Sequence, residues 1–170
     1  MSESASKPVF YVNAYSEPVL VRIEGRACFQ NSGFLRDFVA EMVRQGKGAF
    51  VVDFLKCTGM DSTFLGVLAG AALELRKKAA TNSLVLVRVG PRNLELIRNL
   101  GLHRLLTVDS GDYSMNFDKG GSVLVGPAQS ELENARLVIE AHENLVSADA
   151  TNAAKFQDVL VFLKSRVEGR

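Results

Sequence analysis

The sequence predicts an α/β fold: a mixed β-sheet of about four to five strands with helices packed on it, followed by a C-terminal helical hairpin. Strand-like and helix-like segments alternate after an initial pair of strands. Two later strands are almost continuously apolar, and the end of the chain carries apolar residues at helical spacing. A chain of 170 residues that is 47% hydrophobic is long enough for one such domain with an extension.

The first two strands are predicted at residues 8–12 and 18–24, because both segments are rich in β-branched and aromatic residues. Val19, Val21 and Ile23 share one face of the second strand. The short turn between the two segments favours an antiparallel hairpin. Apolar residues at spacings of three and four then predict a helix, which ends at the glycines of the Gly46–Gly48 segment.

The middle of the chain continues the alternation. The apolar run at residues 49–55 is typical of a strand that is buried on both faces. A long helix is predicted from about Ser62 to Ala80, and its end is charged. Further along the chain we predict a strand at 84–89, a short helix from Pro91 to Gly101 and a last short strand at 105–108.

The chain therefore divides into three predicted parts. Residues 8–110 form the α/β domain, and residues 111–127, rich in Gly, Ser and Asp, form a linker or a small hairpin. Residues 128–168 form the helical extension, in which each of two helices has one apolar stripe. Those stripes need a surface to bury them, and they fit either dimerisation or packing over the sheet.

Composition excludes several function classes. The net charge of +1 gives no reason to expect nucleic acid as a partner. No apolar run is long enough for a membrane span, and the polar N-terminus does not resemble a signal peptide, so we expect a cytoplasmic protein. Cys28 and Cys57 have neither CxxC spacing nor a nearby histidine. We interpret them as reduced thiols, and we predict neither a metal site nor a cofactor.

The most informative segment runs from Asp53 to Leu68, where a buried strand, a short loop and a buried helix follow one another. Ser62 and Thr63 lie at or next to the predicted N-cap of that helix, where a hydroxyl can accept a hydrogen bond from a free backbone amide. From the residues alone, a capping serine is the simplest interpretation.

Residues 60–67, Met-Asp-Ser-Thr-Phe-Leu-Gly-Val, resemble the signature M-D-S-[ST]-G-L-G-V of anti-sigma factor antagonists, which are STAS domain proteins. The order of the strands, and the helix that closes at residues 99–102, are similar to that family over roughly residues 8–110. The resemblance implies that Ser62 is phosphorylated by a partner serine kinase, which is the anti-sigma factor. It also implies a PPM-type phosphatase that resets the switch.

The same resemblance implies a binding site and a mechanism. Asp61, Ser62, Thr63 and Phe64 would contact the partner. The unphosphorylated protein would bind the kinase and free a sigma factor, and phosphorylation of Ser62 would release the kinase.

The sequence departs from the family pattern at two places and extends beyond it at a third. Phe64 stands where the signature has glycine. Residues 25–28, Gly-Arg-Ala-Cys, replace the common G-E-[LI]-D, so an acidic pair that often helps to contact the kinase is missing. The C-terminal hairpin has no counterpart in the minimal domain.

Two alternatives to the phosphorylation switch remain open at this level. One is a STAS scaffold that assembles with itself or with other STAS proteins without being phosphorylated. The other is a small hydrolase or transferase with Cys57 or Ser62 as its nucleophile, which would need a base that no motif supplies. His103 and His142 are interpreted as packed or capping residues. We therefore expect a binding protein and not an enzyme.

Overall fold

The computed structural model describes residues 9–109, 115, 117 and 120–169, in which six strands form one mixed sheet with the order β5-β4-β3-β2-β1-β6. The strands are β1 (Phe10–Asn13), β2 (Val19–Ala27), β3 (Ala49–Met60), β4 (Ser83–Val87), β5 (Thr107–Asp109) and β6 (Gly121–Val123). The helices are α1 (Ser32–Arg44), α2 (Ser62–Lys78), α3 (Pro91–Asn99), α4 (Glu131–Ala148) and α5 (Asn152–Glu168). The predicted α/β fold with a mixed sheet and a C-terminal helical hairpin is confirmed.

The strand directions explain why the sheet is mixed. β1 and β2 form the predicted antiparallel hairpin, and β2, β3, β4 and β5 run parallel to one another. Helices α1, α2 and α3 supply the crossovers that parallel neighbours require. The parallel arrangement brings the carboxyl ends of β2 and β3 to the same edge of the sheet as the N-terminus of α2.

The predicted count of four to five strands is too low, because the sixth strand lies in the segment that we assigned to a linker or small hairpin. β6 pairs antiparallel with β1, with Tyr11 opposite Val123. All three residues of β6 are exposed, so the strand has neither an apolar face nor alternation that would reveal it. Residues 110–114, 116 and 118–119 of that segment lie outside the described part of the chain.

Alternation along β3 separates the two faces of the sheet. Phe50, Val52 and Phe54 point into the main core, where they pack with residues of the helices. Val51 points to the opposite face, in a smaller cluster that includes partly buried Phe117. The prediction that this strand is buried on both faces is therefore confirmed.

A buried carboxylate lies on that second face. Asp53 is 1% exposed, and its oxygens accept hydrogen bonds from the guanidinium group of Arg88. The Arg22 side chain approaches Asp53 at 3.7 Å. A buried carboxylate is costly without such partners, so the arginines are what allow an acidic residue within this strand.

The C-terminal extension packs on the domain through α4. Leu137, Ala141 and Leu145 are fully buried; Leu137 and Ala141 cluster with Val67 of α2. The apolar stripe of α4 therefore covers a helix and not the sheet, while dimerisation through the extension stays a prediction. α5 packs on α4, and Asn152 is the one buried residue among those described in α5.

The turn between α4 and α5 is anchored to the domain as well. The buried side-chain amide of Asn152 donates hydrogen bonds to the carbonyl oxygens of Leu100 (2.9 Å) and Leu145 (2.8 Å). Asp149 forms an ion pair with Arg104 at 3.4 Å. Because Leu100 ends α3 and Leu145 belongs to α4, the Asn152 amide bridges the domain and the extension.

Candidate functional site

Helix α2 begins at Ser62, as predicted, but its N-cap is Asp61 and not the serine of the simplest interpretation. Asp61 Oδ1 accepts a hydrogen bond from the Phe64 amide at 2.9 Å. A carboxylate at this position also interacts favourably with the positive end of the helix dipole. The Ser62 hydroxyl is therefore not needed as a cap and is available for another contact.

Asp61 also joins two loops at this edge of the sheet. Its Oδ2 accepts a hydrogen bond from the Phe29 amide (2.8 Å), and its own amide donates to the Ala27 carbonyl oxygen (3.2 Å). The segment that replaces the acidic pair therefore lies beside the start of α2. Phe29 and Arg26 are both exposed. Phe29 is a candidate contact residue that the sequence analysis did not identify.

The two residues after Ser62 point into the core. Thr63 is 4% exposed, and Phe64 is fully buried between Phe10, at a ring-centroid distance of 6.0 Å, and Phe54, at 6.2 Å. The ring that replaces the signature glycine is thus a core residue. Of the four predicted contact residues, only Asp61 and Ser62 offer surface to a partner in this conformation, and both are half-buried.

The Ser62 hydroxyl contacts the C-terminal extension directly. Its Oγ lies 2.8 Å from His142 Nε2 of α4, and His142 Nδ1 lies 2.7 Å from the Val138 carbonyl oxygen. A carbonyl oxygen only accepts, so Nδ1 carries the proton of the neutral ring. Nε2 is then the acceptor, and the Ser62 hydroxyl donates to it.

His142 is held firmly in this position. It is 4% exposed, and its ring packs edge-on against Phe156 of α5 at 4.7 Å. The apolar helical stripe that contains His142 predicts a packed or capping residue, and the burial of the ring agrees with packing. Its hydrogen bond to Ser62 was missed, because no local pattern relates residues that are 80 positions apart.

Among the residues that the structure describes, no hydrogen bond joins Cys28 or Cys57 to a histidine. Cys57 is half-buried; its thiol donates to the Gly59 carbonyl oxygen at 3.4 Å, and burial raises its pKa. A raised pKa lowers the thiolate fraction on which nucleophilicity depends. Within the described residues, no group of three or more His, Cys, Asp or Glu side chains is arranged to hold a metal ion.

Comparisons with known proteins agree with this architecture. A family model described as "Mlab, STAS domain" matches residues 11–107, which is more than half of the chain. The search of curated proteins found no match. None of the helices in the described residues combines the length and apolar character needed to cross a membrane.

Two solved structures share the fold. The anti-sigma factor antagonist SpoIIAA in its unphosphorylated form superposes with a TM-score of 0.50 at 18% identity, covering 60% of this chain and 89% of that chain. The Bacillus cell fate determinant SpoIIAA in the phosphorylated form has a TM-score of 0.50 at 18% identity, covering 59% and 91%. At this identity the likeness concerns the fold alone.

Proposed function

The chain belongs to the STAS domain family, and from this premise we propose that it is a cytoplasmic anti-sigma factor antagonist-like regulator switched by phosphorylation of Ser62. The observation that carries the proposal is the position of the Ser62 hydroxyl at the first residue of α2, half-buried and next to a cap made by Asp61. Its partners are proteins: an anti-sigma factor serine kinase and a PPM-type phosphatase. It acts without a cofactor, on neither nucleic acid nor membrane.

The start of α2 suits a switch because a phosphate can be tolerated there. A phosphoserine carries about −1.5 to −2 charges and three acceptor oxygens. The first-turn amides of a helix lack intrahelical partners, and the dipole favours negative charge at this end. Asp61 adds a nearby like charge, but its two oxygens already accept hydrogen bonds from the Phe64 and Phe29 amides.

The phosphate also weakens the complex with a partner. A partner packed around Ser62 meets added bulk and a charge that it must desolvate. A loss of about 2 to 3 kcal/mol, roughly 30- to 150-fold in affinity, is enough to release it. The contact surface that we propose consists of Asp61 and Ser62, with exposed Phe29 and Arg26 beside them. Thr63 and Phe64 support it from the core.

We propose a binding role rather than catalysis, although Ser62 and His142 form a hydroxyl–base pair. His142 is buried, and its ring is covered by Phe156. Cys57, the other nucleophile considered, has its pKa raised by burial.

The proposal is tested by incubating the full chain with ATP and each anti-sigma-type serine kinase encoded in its host genome. We expect one added phosphate in the intact mass with the cognate kinase, and none in Ser62→Ala. Thr63→Ala is the matched control: Thr63 is 4% exposed, so this variant should still accept one phosphate.

The second half of the test is binding. Phosphoserine installed at position 62 should weaken binding to that kinase by roughly 30-fold or more. Equal affinity of the two forms, or a phosphate that persists in Ser62→Ala, contradicts the proposal.

A second candidate is assembly with another copy of the chain through the extension, as a scaffold. It is favoured by the apolar side chains that α5 exposes, since Val161 is 64% and Phe162 59% exposed. If α5 forms the interface, sedimentation analysis will show a dimer that V161E/F162E converts to monomer. Gln157→Glu is a control at an exposed residue of the same helix. A monomeric wild-type chain at high concentration excludes this candidate.

A further inference from the structure

Helix α4 is seated on α2 directly beside Ser62, and the two backbones approach closely. A Cβ atom at Gly66 would lie 2.1 Å from the Ala141 carbonyl oxygen, and one at Gly70 would lie 2.3 Å from Asn144 Nδ2. The Asn144 amide donates to the Gly66 carbonyl oxygen at 3.2 Å. The spacing of the two glycines, four residues apart, places both on one face of α2. This face binds a helix.

We infer that the face of α2 next to Ser62 is a docking surface for a helix, that α4 of the same chain occupies it, and that phosphorylation of Ser62 displaces α4. The inference rests on the proposed function for the phosphorylation itself. It adds a second effect of the phosphate: besides weakening a partner that packs around Ser62, it uncovers a surface that the unphosphorylated chain conceals.

The chemistry at Ser62 explains the displacement. Transfer of the γ-phosphoryl group from ATP forms a bond from Ser62 Oγ to phosphorus, breaks the bond between that phosphorus and the bridging oxygen of ADP, and releases the hydroxyl proton to a base. The donor that satisfied His142 Nε2 is thereby lost. The hydrogen bond in which Ser62 donates to Nε2 cannot re-form, because the esterified Oγ no longer carries a proton.

Close packing prevents α4 from adjusting to the phosphate. The Oγ–Nε2 distance of 2.8 Å leaves no room for a phosphoryl group between the two side chains. His142 cannot turn away, because Phe156 covers its ring. A shift of the α4 backbone would break its contact with Gly66. If Ser62 rotated its phosphate towards solvent instead, His142 Nε2 would be left buried without its partner.

The turn between α4 and α5 keeps the extension attached to the domain when α4 is displaced from α2. Asn152 holds this turn to the end of α3 through Leu100, at a place remote in sequence from Ser62. Phosphorylation does not touch this anchor. We therefore expect α4 to leave α2 while the turn stays attached, so that the released surface and the extension remain in one molecule.

The test measures amide hydrogen exchange of residues 131–148 by mass spectrometry in the full chain with phosphoserine installed at position 62. An α4 released from α2 is a marginal helix, so its amides should exchange at least about tenfold faster than in the unmodified chain. Thr58→phosphoserine is the matched control, because Thr58 is exposed at the same end of the sheet and should leave α4 protected. Unchanged exchange protection of residues 131–148 with phosphoserine at position 62 overturns the inference. It would mean that the phosphate and the His142 ring pair with each other while α4 stays in place.

A second variant displaces α4 without any charge. Gly66→Ala adds a Cβ that collides with the Ala141 backbone while leaving the Ser62 hydroxyl intact, and it should also speed exchange in residues 131–148. Gly90→Ala is its control, since a Cβ at Gly90 meets nothing within 4 Å. Wild-type protection in Gly66→Ala means that α4 does not occupy this face, and overturns the inference. If installed phosphate frees α4 but no kinase modifies Ser62, the inference stands and the proposed function fails.

Discussion

Asp61 and Ser62 have different roles at the start of α2. Asp61 provides the cap and fixes the neighbouring loop through the Phe29 amide, so the Ser62 hydroxyl is free to contact His142. If Ser62 were the cap, a phosphate on it would remove the cap of its own helix. Since Asp61 holds this role, the helix keeps its N-terminal hydrogen bond whether or not Ser62 is modified. That separation is the physical basis of the switch that we propose at this residue.

Replacement of Asp61 by alanine tests this role. Asp61→Ala removes an acceptor for two backbone amides, so we expect the free energy of unfolding to fall by about 1 to 3 kcal/mol in urea titrations. Asp61→Asn keeps one side-chain carbonyl oxygen and should lose about half as much. Asp37→Ala, at an exposed residue of α1, should change stability by less than about 0.5 kcal/mol. Equal free energies of unfolding for Asp61→Ala and wild type would show that Asp61 does not stabilise the start of α2.

At the scale of elements, the segments with strong local patterns were predicted and those stabilised from a distance were not. β3 and α2 carry long apolar runs, which determine their type wherever they pack. β6 is three exposed residues that exist as a strand because β1 offers an unpaired edge. The contact between His142 and Ser62 depends on where α4 packs, and no sequence pattern within α4 indicates that position.

The hydrogen bonds at the start of α4 predict that the stability of the protein depends on pH. The Ser130 amide donates to the Glu133 carboxylate, and the Ser130 side chain accepts from the Glu133 amide in a capping box. The hydrogen bond from the Ser130 amide, and then contact with the Ser130 side chain, lower the pKa of Glu133. A lowered folded-state pKa stabilises the helix above the ordinary carboxyl value of about 4.3, and this contribution is lost as the pH falls through the folded-state pKa.

Glu133→Gln isolates that contribution, since glutamine completes the same capping box without titrating. Urea titrations of wild type and Glu133→Gln at pH 7 and pH 3 should show a larger loss of stability for the wild type. Glu133→Ala should be less stable than Glu133→Gln at both pH values. The same pH dependence for wild type and Glu133→Gln would show that Glu133 ionisation does not stabilise α4.

In the whole molecule, the STAS domain and its extension meet at the residue that we propose to be modified. The places that hold the extension include the packing of α4 on α2 and the Asn152 hydrogen bond at the end of α3. One of these places includes Ser62 and the other does not. We therefore propose that a phosphate on Ser62 acts on two surfaces, one that faces a partner and one that faces the chain's own helix. On this proposal, phosphorylation of Ser62 Oγ determines which surfaces the molecule exposes.

The most direct test of this account is phosphosite mapping of the full chain purified from its own cells, across growth and stress conditions. The account predicts one phosphorylated residue, Ser62, whose occupancy changes with condition. A chain that never carries phosphate on Ser62, or that carries it on another residue, would contradict the central claim.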